Sequence, residues 1–159
     1  MEKNDAYFIK LAIENAQKGM DAGTGGPFGA VIVNQAGEIV GQGCNKVTSS
    51  LDPTAHAEVV AIRDACSNLN DFQLEGCTIY SSCEPCPMCL GAIYWARPDR
   101  LVFACSKEDA AAIGFDDDFI YKEIELDYKD RKIKTEQMAQ AEGIEVFKNW
   151  KAKINKEEY

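Results

Sequence analysis

Apolar residues recur at helical spacing near the start of the chain. Phe8, Leu11, Ala12 and Ala16, flanked by Ile9 and Ile13, make one broad face. Asn4 precedes them and is a residue type that caps the free amides of a first turn, so a helix is predicted from Asn4 to about Met20. The glycines and proline of Asp21-Ala-Gly-Thr-Gly-Gly-Pro27 predict a loop. Phe28 to Val33 and Ile39 to Asn45 read as two strands joined by a turn at Asn34-Gln-Ala-Gly37. After a loop at Thr48-Ser-Ser-Leu-Asp-Pro53, a helix is expected from Thr54 to about Leu69. Its core stripe is read as Ala55, Val59, Ile62, Cys66 and Leu69.

A strand from Cys77 to Ser82 leads into Cys83-Glu-Pro-Cys-Pro-Met-Cys89 and a helix that ends before Pro98. Leu101 to Cys105 is an unbroken apolar run, the pattern of a strand covered on both faces. Short helices are expected on either side of Gly114-Phe-Asp-Asp-Asp118, a strand near Lys132 to Gln137, and a last helix over about Glu142 to Lys153. Strands alternating with helices imply an α/β fold of three layers, α/β/α, around a central sheet. No repeat or low-complexity linker breaks the chain, so residues 1–159 are read as one domain.

Composition narrows this picture. Hydrophobic residues make up 46% of 159, enough for a core without disulfide help. Met1-Glu-Lys-Asn-Asp-Ala-Tyr-Phe8 lacks the basic start and apolar stretch of a secretory signal. No run is long enough to cross a membrane, and a cytoplasmic location is expected. Seven cysteines, an odd number, argue for metal binding or core filling over a disulfide framework. The formal net charge of -9 repels phosphate backbones, so neither a nucleic-acid nor a membrane partner is expected. A small, uncharged substrate fits that surface better.

The candidate chemistry lies in two short segments. His56-Ala-Glu58 opens one expected helix and Cys86-Pro-Met-Cys89 opens another. Residues three apart in a first helical turn share a face, so the two thiols can converge on one ion. The positive end of the helix favours the thiolates a metal needs, and Pro87 suits the first helical position. One His and two Cys give three protein ligands, which leaves tetrahedral zinc a fourth position for water. A Cys-x-x-Cys pair is equally compatible with a redox dithiol or with core cysteines. Cys83 repeats the spacing and offers a fourth ligand to a closed, structural site. The combination of His-x-Glu with Pro-Cys-x-x-Cys, however, is the signature of zinc deaminases. Cys83 is then a residue at the strand end.

Hydrolytic deamination needs an activated water and a proton for the departing amine. Zinc lowers the pKa of bound water from 15.7 to about 7. Glu58, two residues from a metal ligand, is the candidate to take a proton from that water and return it to a ring nitrogen and then to the amine.

On these residues the chain resembles the cytidine deaminase superfamily, and within it the short bacterial guanine deaminases. The resemblance runs through Gly25-Gly-Pro-Phe-Gly-Ala-Val31, Asp52-Pro-Thr-Ala-His56, Ser82 to Arg97, and Gly114-Phe-Asp-Asp-Asp-Phe-Ile-Tyr-Lys-Glu123. It implies a mixed central sheet, one zinc ion per subunit, and hydrolysis of guanine to xanthine and ammonia. It also implies a base pocket of Phe28, Asn45, Ala57 and Trp95, with Asp117 accepting from the guanine N1–H and 2-amino group. A carboxylate there discriminates against adenine, which has no N1–H. By the same resemblance the protein is a homodimer that exchanges its C-terminal segment, about residues 130–159. The terminal Tyr159 would then close over the partner's pocket.

Three alternatives stay open on the sequence: a guanosine deaminase, a tRNA adenosine deaminase and a zinc-stabilised interaction domain. The first needs the same base contacts plus room for ribose. The charge of -9 opposes the second, and the third gives Glu58 no task.

Overall fold

A computed structural model describes residues 4–159. Met1 to Lys3, which carry part of the N-terminal reading above, lie outside the described residues. The chain divides into two compact units, Met1–Asp117 and Asp118–Tyr159.

The first unit holds the sheet. Helix α1 spans Asp5–Asp21, and Asn4 caps it by accepting a hydrogen bond from the Tyr7 amide, as expected of that side chain. Strands β1 (Gly29–Val33) and β2 (Ile39–Cys44) form an antiparallel hairpin. Asn34 closes its turn by accepting from the Ala36 and Glu38 amides through Oδ1. Strand β3 (Thr78–Cys83) pairs antiparallel with β1 and parallel with β4 (Arg100–Cys105). The order β2-β1-β3-β4 gives a mixed sheet.

Alternation along β1 and β3 assigns the two faces. Val31, Val33 and Tyr80 pack with Phe8 and Ala12 of α1. Ala30, Ile32 and Ile79 face the other way, against Ala57, Ala61 and Ala65 of helix α3 (Ala57–Leu69) and Ile93 and Ala96 of helix α4 (Pro87–Ala96). Helices therefore cover both faces, which is the three-layer α/β/α arrangement with a central mixed sheet. Among the described residues no helix is long and apolar enough to cross a membrane.

Four expectations are corrected. The buried stripe of α3 is Ala57, Glu58, Ala61 and Ala65, whereas Leu69 is exposed. The reason is close approach: a Cβ on Gly43 would meet the Ala57 carbonyl oxygen at 2.6 Å, and one on Gly41 would meet the Ala61 oxygen at 2.5 Å. The helix backbone lies on glycines, so alanines fill the contact and larger residues are turned aside. Strand β4 is covered on both faces only at its start, where Leu101 packs toward α3 and α4 and Val102 toward α1, whereas Phe103, Ala104 and Cys105 are exposed on this edge strand. Residues 132–137 form no strand; the segment is irregular, bent at 132 and 133. A short helix α2 (Val47–Ser50) also replaces the start of the loop expected at Thr48 to Pro53.

Beyond β4, Ser106 and Asp109 form a reciprocal capping box for helix α5 (Lys107–Ala112). The second unit contains α6 (Asp118–Glu125), a 3-10 turn at Tyr128–Asp130 and α7 (Gln140–Ala152). Within it Lys132 lies 5.2 Å from the Phe119 ring centroid and its amide donates to Glu123.

Candidate metal centre and base pocket

Two helix starts meet at the end of the sheet. His56 is the N-cap of α3 and Cys86 the N-cap of α4, each in extended backbone, with Pro87 at the first helical position. One turn into α4, Cys89 is fully buried. These placements bring one nitrogen and two sulfurs within 4.8 Å of one another. His56 Nδ1 stands 3.6 Å from the Cys86 sulfur and 3.4 Å from the Cys89 sulfur. A tetrahedron with ordinary Zn–S and Zn–N bond lengths has N···S edges of about 3.6 Å. The donor set and its spacing thus fit zinc. Among the described residues these three form the group that could hold a metal, and Cys83 is not in it. Cys83 ends β3, is buried, and donates to the Ser106 carbonyl at 3.5 Å.

The electrostatics agree with that role. Cys86 is pulled down to about 4, chiefly because Cys89 donates to it and further because His56 does. The same contact, together with burial, pushes the Cys89 thiol up. His56 is raised, first by its hydrogen bond to Cys86. All seven cysteines are free, as expected of ligands and core residues rather than a disulfide framework.

Glu58 lies on the buried face of α3, 6% exposed. Burial raises its carboxyl above the usual range, and desolvation is the largest cause. Its Oε2 is 3.4 Å from the Cys89 sulfur, and its Oε1 accepts from the Ser81 hydroxyl at 3.3 Å. A buried carboxyl with a raised pKa beside a metal site is the arrangement general acid–base catalysis needs.

Asn45 is buried at the end of the hairpin and uses Oδ1 to accept from the Gly26 and Val47 amides, at 3.3 and 3.1 Å. A Cβ on Gly25 would meet that oxygen at 2.1 Å, so the loop needs glycine there. Phe28 is half-buried, and its ring meets Phe115 edge to face at 4.9 Å. That contact fastens the Gly114–Asp117 loop to the sheet. Asp117 is half-buried, and its pKa is raised mainly by burial and further by Cys86 and Glu84. Ala57 is fully buried between His56 and Glu58.

His56, Cys86, Cys89 and Glu58 therefore converge, with Ala57 between two of them and Asp117 within electrostatic reach. Trp95 does not join that cluster: it is 65% exposed on α4, nine residues beyond Cys86, about 13 Å along the helix. Tyr159 belongs to the second unit and is exposed. Two residues escape sequence reasoning. Phe115 stands inside a segment already singled out for its aspartates, and its pairing with Phe28 is a contact across 87 positions. Ser81 carries no motif at all.

The sequence profile of the cytidine and deoxycytidylate deaminase zinc-binding region matches residues 2–105. A guanine deaminase of Bacillus subtilis (strain 168) is 53% identical over 156 residues, spanning 98% of this chain and 99% of that protein. The X-ray structure of guanine deaminase from Bacillus subtilis superposes with a TM-score of 0.95, at 53% identity over 98% of this chain and 99% of the other. A tRNA-specific adenosine deaminase of Haemophilus influenzae is 42% identical over 110 residues, 69% of this chain and 63% of that one. A structure of guanine deaminase from Nitrosomonas europaea gives a TM-score of 0.66 at 32% identity, over 70% and 64% of the two chains.

Proposed function

The chain belongs to the cytidine and deoxycytidylate deaminase family, and from that premise we propose that it is a guanine deaminase, converting guanine and water to xanthine and ammonia. The observation that carries this reading is the match to the Bacillus subtilis guanine deaminase, which runs through essentially the whole chain rather than the metal motifs alone.

When held by His56, Cys86 and Cys89, zinc supplies Lewis acidity that makes water a nucleophile near neutral pH. The chain's own residues do the rest. Glu58, whose carboxyl burial raises toward the range where it can both accept and donate, takes a proton from the attacking water as carboxylate and delivers it to a ring nitrogen of the base. The proton left on the added hydroxyl then passes by way of Glu58 to the exocyclic 2-amino nitrogen, which leaves as ammonia while the ring carbon keeps the oxygen. Asp117 accepts from the N1–H and 2-amino group. Asn45 has committed its oxygen to Gly26 and Val47, so its Nδ2 is the end that donates to an acceptor on the purine. Phe28, braced by Phe115, and the small Ala57 line the base.

Trp95 and Tyr159 complete the pocket in the dimeric form of this reading, in which residues of about 130–159 are exchanged between subunits of one catalytic domain. Val146, Phe147 and Ile154 are 64, 75 and 96% exposed, apolar surface of the kind a second subunit covers. Seven free thiols suit a reducing, cytoplasmic setting.

The test compares guanine, guanosine, adenine, cytosine and cytidine in one ultraviolet assay on zinc-loaded protein. Guanine is expected to be preferred, and preference for any other base or nucleoside overturns the assignment. Sedimentation of intact protein and of a chain lacking Tyr159 tests the dimer and its closing residue.

A further inference from the structure

Strand β3 places Ile79 against α3 and, two residues on, a serine at the next position of the same face. Ser81 is 2% exposed. A hydroxyl at such a place is unfavourable unless something accepts from it. What accepts is Glu58 Oε1, at 3.3 Å, and both groups are buried. The other carboxylate oxygen, Oε2, lies 3.4 Å from Cys89, whose sulfur is itself 3.4 Å from His56 Nδ1. The two oxygens of one carboxylate therefore have different neighbours: Oε1 touches the sheet and Oε2 the metal ligands.

The last torsion of a glutamate has a broad, roughly two-fold profile and does not by itself hold a carboxylate in one plane. A donor on a rigid inner strand does. Ser81 is paired on both sides, with Ala30 of β1 and Phe103 of β4, so its hydroxyl sits on fixed backbone. We propose that Ser81 is the positioning residue for Glu58, its hydroxyl holding Oε1 so that Oε2 is the oxygen presented to the reacting water and base. The inference rests on the deaminase reading and adds to it a residue that touches neither metal nor substrate.

The test uses Ser81→Ala and Ser81→Thr in the full chain. In Ser81→Ala, kcat for guanine is expected to fall about 10- to 100-fold while KM changes less than about twofold, since the hydroxyl acts on the proton carrier and not on binding. Ser81→Thr keeps a hydroxyl and is expected to restore most of kcat. If the threonine chain does not fold, Ser81→Cys, with its weak S–H donor, is expected to fall between alanine and wild type. Zinc content should stay at one per chain throughout. A second readout needs no turnover: crystal structures of the metal-free proteins should show the Glu58 carboxylate rotated or split in Ser81→Ala and single in wild type and Ser81→Thr.

Unchanged kcat in Ser81→Ala, threonine as impaired as alanine, loss of zinc, or an unmoved Glu58 carboxylate each overturns the proposal. Wild-type protein inactive on guanine overturns the functional reading instead, and the crystallographic comparison then still decides the role of Ser81.

Discussion

Glu58 Oε2 and the Cys89 sulfur lie 3.4 Å apart, although one residue belongs to α3 and the other to α4. The candidate proton carrier and a candidate metal ligand are thus held against each other by helix packing, not by proximity in sequence. Any change at one is felt at the other.

Glu58→Gln follows from that contact. The amide keeps the shape of the side chain but cannot carry a proton, so turnover should drop by about 10²- to 10⁴-fold with zinc retained. Because burial disfavours the charged carboxylate, the variant should melt no lower than wild type. Metal analysis, the ultraviolet assay and a thermal melt check all three. Near-normal turnover in zinc-loaded Glu58→Gln removes Glu58 from the mechanism.

Phe115→Ala tests the loop that carries Asp117. With the Phe28 contact gone, the Gly114–Asp117 loop loses its brace, and KM for guanine should rise by about tenfold, the equivalent of one lost aromatic contact of about 1–1.5 kcal/mol. Asp117→Ala should be more severe, and its loss should be larger for guanine than for adenine, which offers no N1–H. Steady-state kinetics on both bases checks this, and an equal loss on the two removes Asp117 from recognition.

The ligand set and Glu58 were legible because their chemistry imposes spacing: thiols three positions apart, His and Glu two positions apart, each pair at a helix start. The buried face of α3 was not. Ala57, Ala61 and Ala65 look weaker than Ile62 or Leu69 on a hydrophobicity pattern, and the glycines that let them approach lie 14 to 24 residues earlier in β2. Strand β4 misled for a related reason. An apolar run carries no information on strand order, and this one is an edge strand whose last three residues are exposed. Ser81 and Phe115 act through single contacts with distant partners, which leave no periodicity to read.

Gly43→Ala turns that packing into a measurement. A Cβ there would meet the Ala57 carbonyl oxygen at 2.6 Å and the Ala61 nitrogen at 2.8 Å, both backbone atoms that cannot swing aside. The first turn of α3 must move, and with it His56 and Glu58. We expect a loss of about 1–3 kcal/mol in stability together with weaker zinc binding. Gly29→Ala, whose Cβ would meet the Ala12 oxygen at 2.2 Å on the α1 side, should lose stability while keeping zinc affinity. Denaturant melts and zinc titrations on both variants separate the two. Equal zinc affinity in Gly43→Ala and wild type rejects the coupling between β2 and the metal centre.

The pairing of Asp5 with Arg100 and Tyr80 sets a pH dependence away from the site. Asp5 accepts from Arg100 at 2.9 and 2.6 Å and from the Tyr80 hydroxyl at 2.7 Å, joining the start of α1 to β3 and β4. The hydrogen bonds from Arg100 and then Tyr80 hold Asp5 below the usual carboxylate range. Its contribution is present above that range and is lost as pH falls through the lowered folded value. Tyr80 moves the other way, pushed up to about 12 by burial first and by Asp5 second. A phenol raised on folding contributes fully below its ordinary value of about 10, and the protein loses that stability as pH climbs toward 12. Asp5→Asn should therefore flatten the acid arm of a stability–pH curve. It should also bring the Tyr80 ionisation down from about 12, though not to the ordinary value, because burial is the larger cause and remains. Tyrosinate absorbance across an alkaline titration reads the second effect. An unshifted Tyr80 titration in Asp5→Asn would show that the carboxylate has no hold on the phenol.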